Sequence, residues 1–311
     1  MTVQEKSDVV ILGSTGFIGC HVLTAALTAG IPSTGAARKP GGRSAAKLNL
    51  RDVDSLIRVL KSATTAIHCV SYVGTDPKLA ADTNIEGTRA ILRASELAGV
   101  TQVLYVSTAA VTGSGPHSGT NHRSTPYAPE SEASRTRAEA ERLVLDHGGA
   151  VVRPNFVYGP GDGWFLPTLA RLLQSDQISR DNLRALVSTI HVKDLAAALV
   201  DLSQRHDIFG NGVVMHANAL APDHMSDICD VIMSSVLQTA ASPGLTRSST
   251  VENKGPGSGS PLALSPHQLN MLTVDNWFDS SDLWRSIDRP PAKNFRLGRD
   301  DVAFYRERFD T

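Results

Sequence analysis

The sequence predicts an α/β fold, a doubly wound parallel sheet covered by helices and followed by a smaller C-terminal lobe. Three observations carry this. Short apolar runs alternate with amphipathic stretches through the first two thirds of the chain, the βαβ rhythm of a parallel sheet whose strands return by crossovers. A glycine-rich turn, GSTGFIG at residues 13–19, joins the first apolar run to the first amphipathic one. In the last hundred residues the rhythm weakens, as expected where a separate lobe begins.

Taken in order, VVIL is a strand, apolar throughout as a strand covered on both faces must be. IGCHVLTAALTAG is a helix, STGAAR a strand, DVDSLIRVLKS a helix and TAIHCVS a strand. NIEGTRAILRASELAG follows as a helix, and Gly30 and Gly99 stand where left-handed caps close the first and third of these helices. QVLYVST is the next strand, EASRTRAEAERLVLDHG a helix rich in Ala, Glu, Arg and Leu, and AVVRPNFVYG reads as one further strand. Residues 112–131, TGSGPHSGTNHRSTPYAPES, are twenty positions with no period. A loop of that length in a compact domain marks a substrate-side loop or a mobile surface. A second Gly/Pro/Ser-rich stretch, SSTVENKGPGSGSP, occupies residues 248–261.

A strand that feeds a helix through glycines leaves backbone N–H groups and the positive end of the helix dipole facing one point, where a pyrophosphate sits. Gly13 lets the chain turn, Gly16 lets backbone approach the phosphates, and Gly19 lets the helix pack on the strand. Ser14, Thr15, Phe17 and Ile18 complete that turn. An NAD site usually has a carboxylate at the end of the second strand for the ribose 2′-hydroxyl, and an NADP site a cation. Here the strand ends in Arg38 and Lys39, with Arg43 near and no acid before Asp52, so the expected cofactor is NADPH/NADP.

Composition narrows the partners. Apolar residues make up 41% of the 311 and charged residues 20%; 30 basic against 31 acidic groups leave a net charge of −1. That balance steers neither nucleic acid nor a membrane surface. Cys20, Cys69 and Cys229 lie far apart with no CxxC or Cys/His cluster, so neither a metal site nor a disulfide framework is expected, and they read as buried thiols in a reducing compartment. The polar start MTVQEKSD leads into an apolar run too short for a signal peptide, and no run of membrane-spanning length follows, which predicts a cytoplasmic protein. The oligomeric state stays open.

GSTGFIG, NIEGTRAILRAS, VLYVSTAAVTG, RAEAERLVL, VVRPNFVYGPGD and IHVKDLAAAL together resemble the successive motifs of the extended short-chain dehydrogenase/reductases and their atypical relatives. The likeness runs through about residue 200, and the order and spacing of six motifs make it specific. It implies a Rossmann-type NADP-binding domain, residues 1–160 plus about 186–210, with a smaller substrate-binding lobe, about 161–185 plus 211–311. It further implies that Cys69, Val70 and Ser71 lie along the cofactor and that Pro154 and Asn155 meet the nicotinamide carboxamide. Asn49, followed by Leu50, stands where the family often has an adenine-contacting Asp. The family's catalytic set is a Ser or Thr with a Tyr and a Lys spaced YxxxK. The match puts Thr108 in the hydroxyl position, Ala133 at the Tyr and Arg137 at the Lys. The five tyrosines, at 72, 105, 127, 158 and 305, are followed four residues on by Asp76, Ala109, Ser131, Asp162 and Phe309, so YxxxK is absent.

Reducing a ketone requires its oxygen to be stabilised and protonated, and a positioned general acid contributes about 10² to 10⁴ in rate, or roughly 3 to 5 kcal/mol. A threonine hydroxyl orients a carbonyl but is too weak an acid to protonate it unaided. Arg137 either steadies the cofactor in the lysine's place or is a solvated helix arginine paired with a Glu; a guanidinium gives up no proton. Water, a histidine (His117, His122 or His191) and the substrate itself remain as proton sources. A phenol has a pKa near 10, as a tyrosine does, and beside the ketone it carries the missing acid in with the ligand. That restricts the substrate to polycyclic aromatic ketones, on the hydroxylated, angucyclinone- or quinone-like skeletons of polyketide pathways. Tyr72 and Tyr158 are then stacking walls for it, or packing. The expected function is an NADPH-dependent ketoreductase. A non-catalytic dinucleotide sensor is the alternative; a nucleotide-sugar epimerase or dehydratase ranks below it, because that chemistry leans on the absent tyrosine.

Overall fold

The computed structural model describes residues 9–61, 63–175, 183–238 and 264–309. The polar start and the stretch 248–261 lie outside the described residues, as do parts of the lobe assigned to about 161–185 and 211–311.

Seven strands form one parallel sheet: β1 (Val9–Leu12), β2 (Ser33–Ala37), β3 (Ser44–Lys47), β4 (Thr65–His68), β5 (Gln102–Val106), β7 (Ala150–Arg153) and β11 (Val214–His216). Their order is β11-β7-β5-β4-β1-β2-β3, so the chain winds outward in both directions from the β1/β4 pair. That reversal opens a crevice at the carboxyl ends of β1 and β4, where open α/β sheets take their ligands. β1, β4, β5 and β7 are buried along their whole length, which explains their unbroken apolar runs.

Helices cover both faces. α1 (Phe17–Thr28) and α7 (Val192–Ser203) share a core with Val9, Ile11, Val106 and Val152 on one face. α2 (Val53–Leu60), α4 (Gly87–Ala98) and α5 (Glu132–Asp146) cover the other, where Val10, Leu12, Tyr105 and Val151 point. Gly30 (φ +72°) and Gly99 (φ +74°) adopt the left-handed conformation expected of them. α3 (Pro77–Ala80), its N-terminus capped by Asp76, runs through a π-helical turn, Ala81–Glu86, into α4.

The structure departs from the sequence reading in three places. β3 was not anticipated: SAAK has no apolar run, and an edge strand paired only to β2 needs none. AVVRPNFVYG is two strands rather than one. Pro154 has no N–H for the ladder, so β7 ends at Arg153, and β8 (Phe156–Tyr158) pairs instead with β10 (Thr189–His191). Residues 112–131 are not structureless, since β6 (His117–Thr120) lies within them at the edge of a second sheet. That sheet runs β12 (Asp223–His224), β9 (Leu186–Val187), β13 (Asn276–Phe278), β6. The seven-stranded sheet therefore takes in β11, beyond residue 210, while β6 and β9 lie in the second sheet. α6 (Phe165–Gln174), α8 (Met225–Val231), α9 (Pro266–Thr273) and α11 (Arg299–Arg306) pack around the lobe's own core of Phe156, Phe165, Val187 and Ile228. α10 (Ser281–Ser286) instead seats Leu283 and Trp284 in the core beneath β11.

One buried ion pair ties the α5 face to the sheet. Arg153, 3% exposed, makes bonds of 2.5–3.1 Å to Glu141, which is 0% exposed. Tyr127 donates to the same carboxylate at 2.8 Å, and its ring lies under both Arg142 and Arg153. Burial and then the Glu141 charge hold its phenol up at about 12. Removing one partner strands the other charge in the core. Glu141→Gln is expected to cost about 3–5 kcal/mol in urea unfolding, and Glu141→Leu combined with Arg153→Met far less.

Candidate active site

The glycine turn is shaped by contacts that leave no room for side chains. A Cβ on Gly19 would collide with the Gly13 carbonyl, and one on Gly13, at φ +87°, would lie 3.0 Å from the Val70 nitrogen. The N–H groups of Gly13 and Ser14 donate to the Ala36 carbonyl at 2.8 and 3.1 Å, and that of Gly16 to the Gly13 carbonyl at 3.0 Å. No side chain caps the first turn of α1, and Thr15 and Gly16 are exposed above it. Phe17 faces Gly161, while Ile18 packs into the core behind. Gly35 was missed: its Cβ would sit 2.5 Å from Leu23 and 2.8 Å from Ser14, so β2 lies close under the turn. A lone glycine inside a strand was the available signal.

At the end of β2, Arg38, Lys39 and Arg43 are exposed, and no carboxylate among the described residues pairs with them. The Asn49 side-chain oxygen accepts from the Arg51 N–H at 3.1 Å in a local turn, and the residue is exposed. Leu50 packs against Gly87, which makes it a core contact. The Cys69 N–H donates to the Leu12 carbonyl at 2.9 Å, and burial, with Cys20 nearby, pushes its thiol up to about 12. The Val70 N–H donates to His68 Nδ1 at 3.2 Å, and the Ser71 hydroxyl is buried without a hydrogen-bond partner. Asn84, also missed, holds this segment. From the π turn it accepts from the Tyr72 N–H at 2.7 Å, and it donates to the Tyr72 carbonyl and to Thr136 on α5, both at 2.9 Å. Such single π turns are frequent at functional sites.

Thr108 is half-buried at the start of a 3-10 turn, Ala109–Thr112. Its oxygen accepts from the Ala110 N–H at 3.2 Å, which leaves its hydroxyl hydrogen to donate elsewhere. The Ala109 N–H donates to the Pro154 carbonyl at 2.8 Å and fastens that turn beside β7. Arg137 is also half-buried and donates from Nη2 to the Val106 carbonyl at 3.1 Å, two residues before Thr108. Its Nε is buried without a hydrogen bond, and it pairs with no carboxylate among the described residues. The alternative of a solvated arginine paired with a Glu is thereby overturned. Ala133, half-buried, lies one turn earlier on the same helix.

Several expected ligand contacts are engaged in holding the lobe. The Asn155 amide nitrogen donates to the carbonyls of Ser188 and Asn276 at 3.3 and 3.0 Å, and its N–H to Asn218. Tyr158 is a correction to the stacking-wall reading. It is 1% exposed, edge-on to His191 and packed on Phe295, so neither ring face is open to a ligand. Tyr72 is half-buried, and its hydroxyl accepts from the Asp76 N–H at 3.4 Å under Gly74. Among the histidines, His191 caps α7 and bonds Asp301 at 3.0 Å, a structural role. His117 packs on Phe278, His122 is half-buried, and burial lowers the pKa of both. His216 stacks on the other side of Phe278 with neither ring nitrogen hydrogen-bonded. No described helix is long and apolar enough to cross a membrane.

The family model described as the NAD dependent epimerase/dehydratase family matches residues 9–215. A 4-hydroxy-2-methyl-3-oxo-4-farnesyl-3,4-dihydroquinoline-1-oxide ketoreductase of Stigmatella aurantiaca is 27% identical over 63% of this chain and 64% of its own length. A 2-alkyl-3-oxoalkanoate reductase of Shewanella oneidensis is 24% identical over 63% of this chain and 57% of its own. The chain thus spans less than two thirds of the length of these curated relatives. In fold, it superposes on MoeE5 in complex with UDP-glucose and NAD at a TM-score of 0.70, with 21% identity and 97% and 98% of the two chains covered. RMD from Pseudomonas aeruginosa complexed with NADPH gives 0.69, with 16% identity and 97% and 99% covered.

His68 and His216 also set the acid limit of the fold. Burial, with Arg137 beside His68 and Arg153 beside His216, pushes both down to about 3. The unfolded chain protonates both near 6.5, so between about 6.5 and 3 it binds more protons than the native state. Stability is therefore expected to fall as pH drops below about 6.5, by up to roughly 1.4 kcal/mol per pH unit for each histidine. Urea titrations at pH 7.5 and 4.5 measure this, and His216→Phe is expected to reduce the slope.

Proposed function

The chain belongs to the NAD-dependent epimerase/dehydratase family, and on that premise we propose that it is a cytoplasmic, NADPH-dependent ketoreductase acting on a hydroxylated, angucyclinone- or quinone-like aromatic polyketide ketone. The observation that carries this reading is the pairing of Thr108, with a hydroxyl hydrogen to give, and Arg137, with an unpaired charge, around Ala133, which supplies no acid.

The turn fits a dinucleotide: side-chain-free glycines, an uncapped helix start and exposed Thr15 and Gly16 form a cradle for a pyrophosphate. Arg38 and Lys39, free of carboxylates, take a 2′-phosphate. Bound there, the reduced nicotinamide supplies the hydrogen and electron pair for the carbonyl carbon. Thr108 donates to the ketone oxygen and orients it. The proton comes from a phenol on the substrate beside that ketone and is restored from water, so ketone, NADPH and one proton give alcohol and NADP. The name of the Stigmatella aurantiaca relative supports reduction of a ketone in a ring fused to an aromatic one; the hydroxyl beside that ketone is a tertiary alcohol, so the phenol rests on the missing tyrosine alone.

Two measurements test this. With polycyclic aromatic ketones offered as free phenols and as O-methyl ethers, NADPH oxidation is expected only with the free phenols, by a margin of about 10² or more. Turnover of both forms would return the proton to a histidine or water. Arg38→Ala is expected to lose about 10- to 100-fold of the preference for NADPH over NADH in kcat/KM, the worth of one charge-assisted bond; an unchanged preference would refute the 2′-phosphate assignment.

A further inference from the structure

Building on the ketoreductase reading, we propose that Arg137 is the fixed positive charge for an anion that the substrate itself becomes: its guanidinium holds the phenolate left when the phenol gives its proton to the ketone oxygen. The carbonyl carbon gains a hydrogen and an electron pair from the reduced nicotinamide, and its oxygen takes the phenolic proton. The phenolic oxygen keeps the O–H bonding pair until water reprotonates it. Arg137 stays charged throughout, because a guanidinium does not lose its proton in a protein.

The position of this arginine sets it apart from its neighbours. On the same helix Arg135 pairs with Glu132 and Arg142 with Glu139. Glu141, one turn beyond Arg137, is taken by Arg153 and Tyr127. Arg137 is half-buried, makes one hydrogen bond to the backbone carbonyl of Val106, and has a buried Nε with none. Buried and half-buried cations are ordinarily paired. The groups facing this one do not neutralise it. His68 on β4 is held neutral, and Tyr105 on β5 keeps its proton because burial raises its pKa. Ala133, on the same face one turn earlier, bears only a methyl group and no charge. A charge with no carboxylate partner among the described residues acts on what enters the site.

An opposite charge within about 4–6 Å lowers an acid's pKa by roughly 1–3 units. The test is to saturate the protein with oxidised NADP, which permits no reduction, bind 8-hydroxy-1-tetralone, and titrate the phenolate absorbance of the bound ligand. In the wild type the bound phenol is expected to ionise roughly 1–3 pH units below its value in water. Arg137→Lys is expected to keep most of that shift, and Arg137→Gln to return it to the solution value or above. Binding with no shift, or with the same shift in Arg137→Gln, overturns the assignment to Arg137 and leaves the ketoreductase reading standing. Failure of the holoprotein to bind any hydroxyaryl ketone overturns both. If Arg137→Gln does not fold, Arg137→Met takes its place, with loss of the shift again expected and its persistence overturning the assignment.

Discussion

Everything in the site is referred to one close contact, the packing of Gly19 against the Gly13 carbonyl with Val70 just beyond. Because no side chain intervenes, α1 sits directly on the ends of β1 and β4. The uncapped helix start, the turn and the Cys69–Ser71 segment therefore meet at one point. Close-packed interiors do not deform gradually. A methyl group at either glycine would move the helix and not merely crowd it, and the crevice between the two halves of the sheet would lose its floor.

The nucleotide half was legible because its physics is local. Buried parallel strands must be apolar from end to end, the glycines sit where only glycine fits, and the missing acid after β2 is visible as absence. What stayed hidden depends on contacts distant in sequence. β3 has no apolar signature because an edge strand has only one neighbour to satisfy. The break at Pro154 was written in the residue itself, yet the flanking apolar runs masked it as one strand. Tyr158 looked like a ligand wall because sequence does not show which aromatics His191 and Phe295 enclose. Asn84 reads as one polar residue on a helix; its three bonds join a loop and a helix that are far away in the chain. For Arg137, sequence gave the position and left its environment open, and that environment separates a surface charge from an internal one.

Among the described residues, polar groups without partners gather where the sheet's carboxyl edge meets the lobe. Ser71, Ser107, the Nε of Arg137, both nitrogens of His216 and the side-chain oxygen of Asn276 are all buried and unbonded. Each costs stability, and a protein tolerates such groups chiefly where function requires them. Ser95, on α4, and Tyr105, beneath α5, are unbonded as well, whereas Glu141 accepts from two side chains and Asp162 takes three backbone N–H groups and the Tyr305 hydroxyl.

Pro154 and Asn155 do two jobs within two residues. Pro154 ends β7 and, through its carbonyl, secures the turn that carries Thr108; Asn155 bonds Ser188 and Asn276 of the lobe and Asn218 just after β11. The lobe is thus geared to the floor of the crevice here as well as through His191 and Asp301, and any shift at this gear is passed through the Pro154 carbonyl to the turn that carries Thr108.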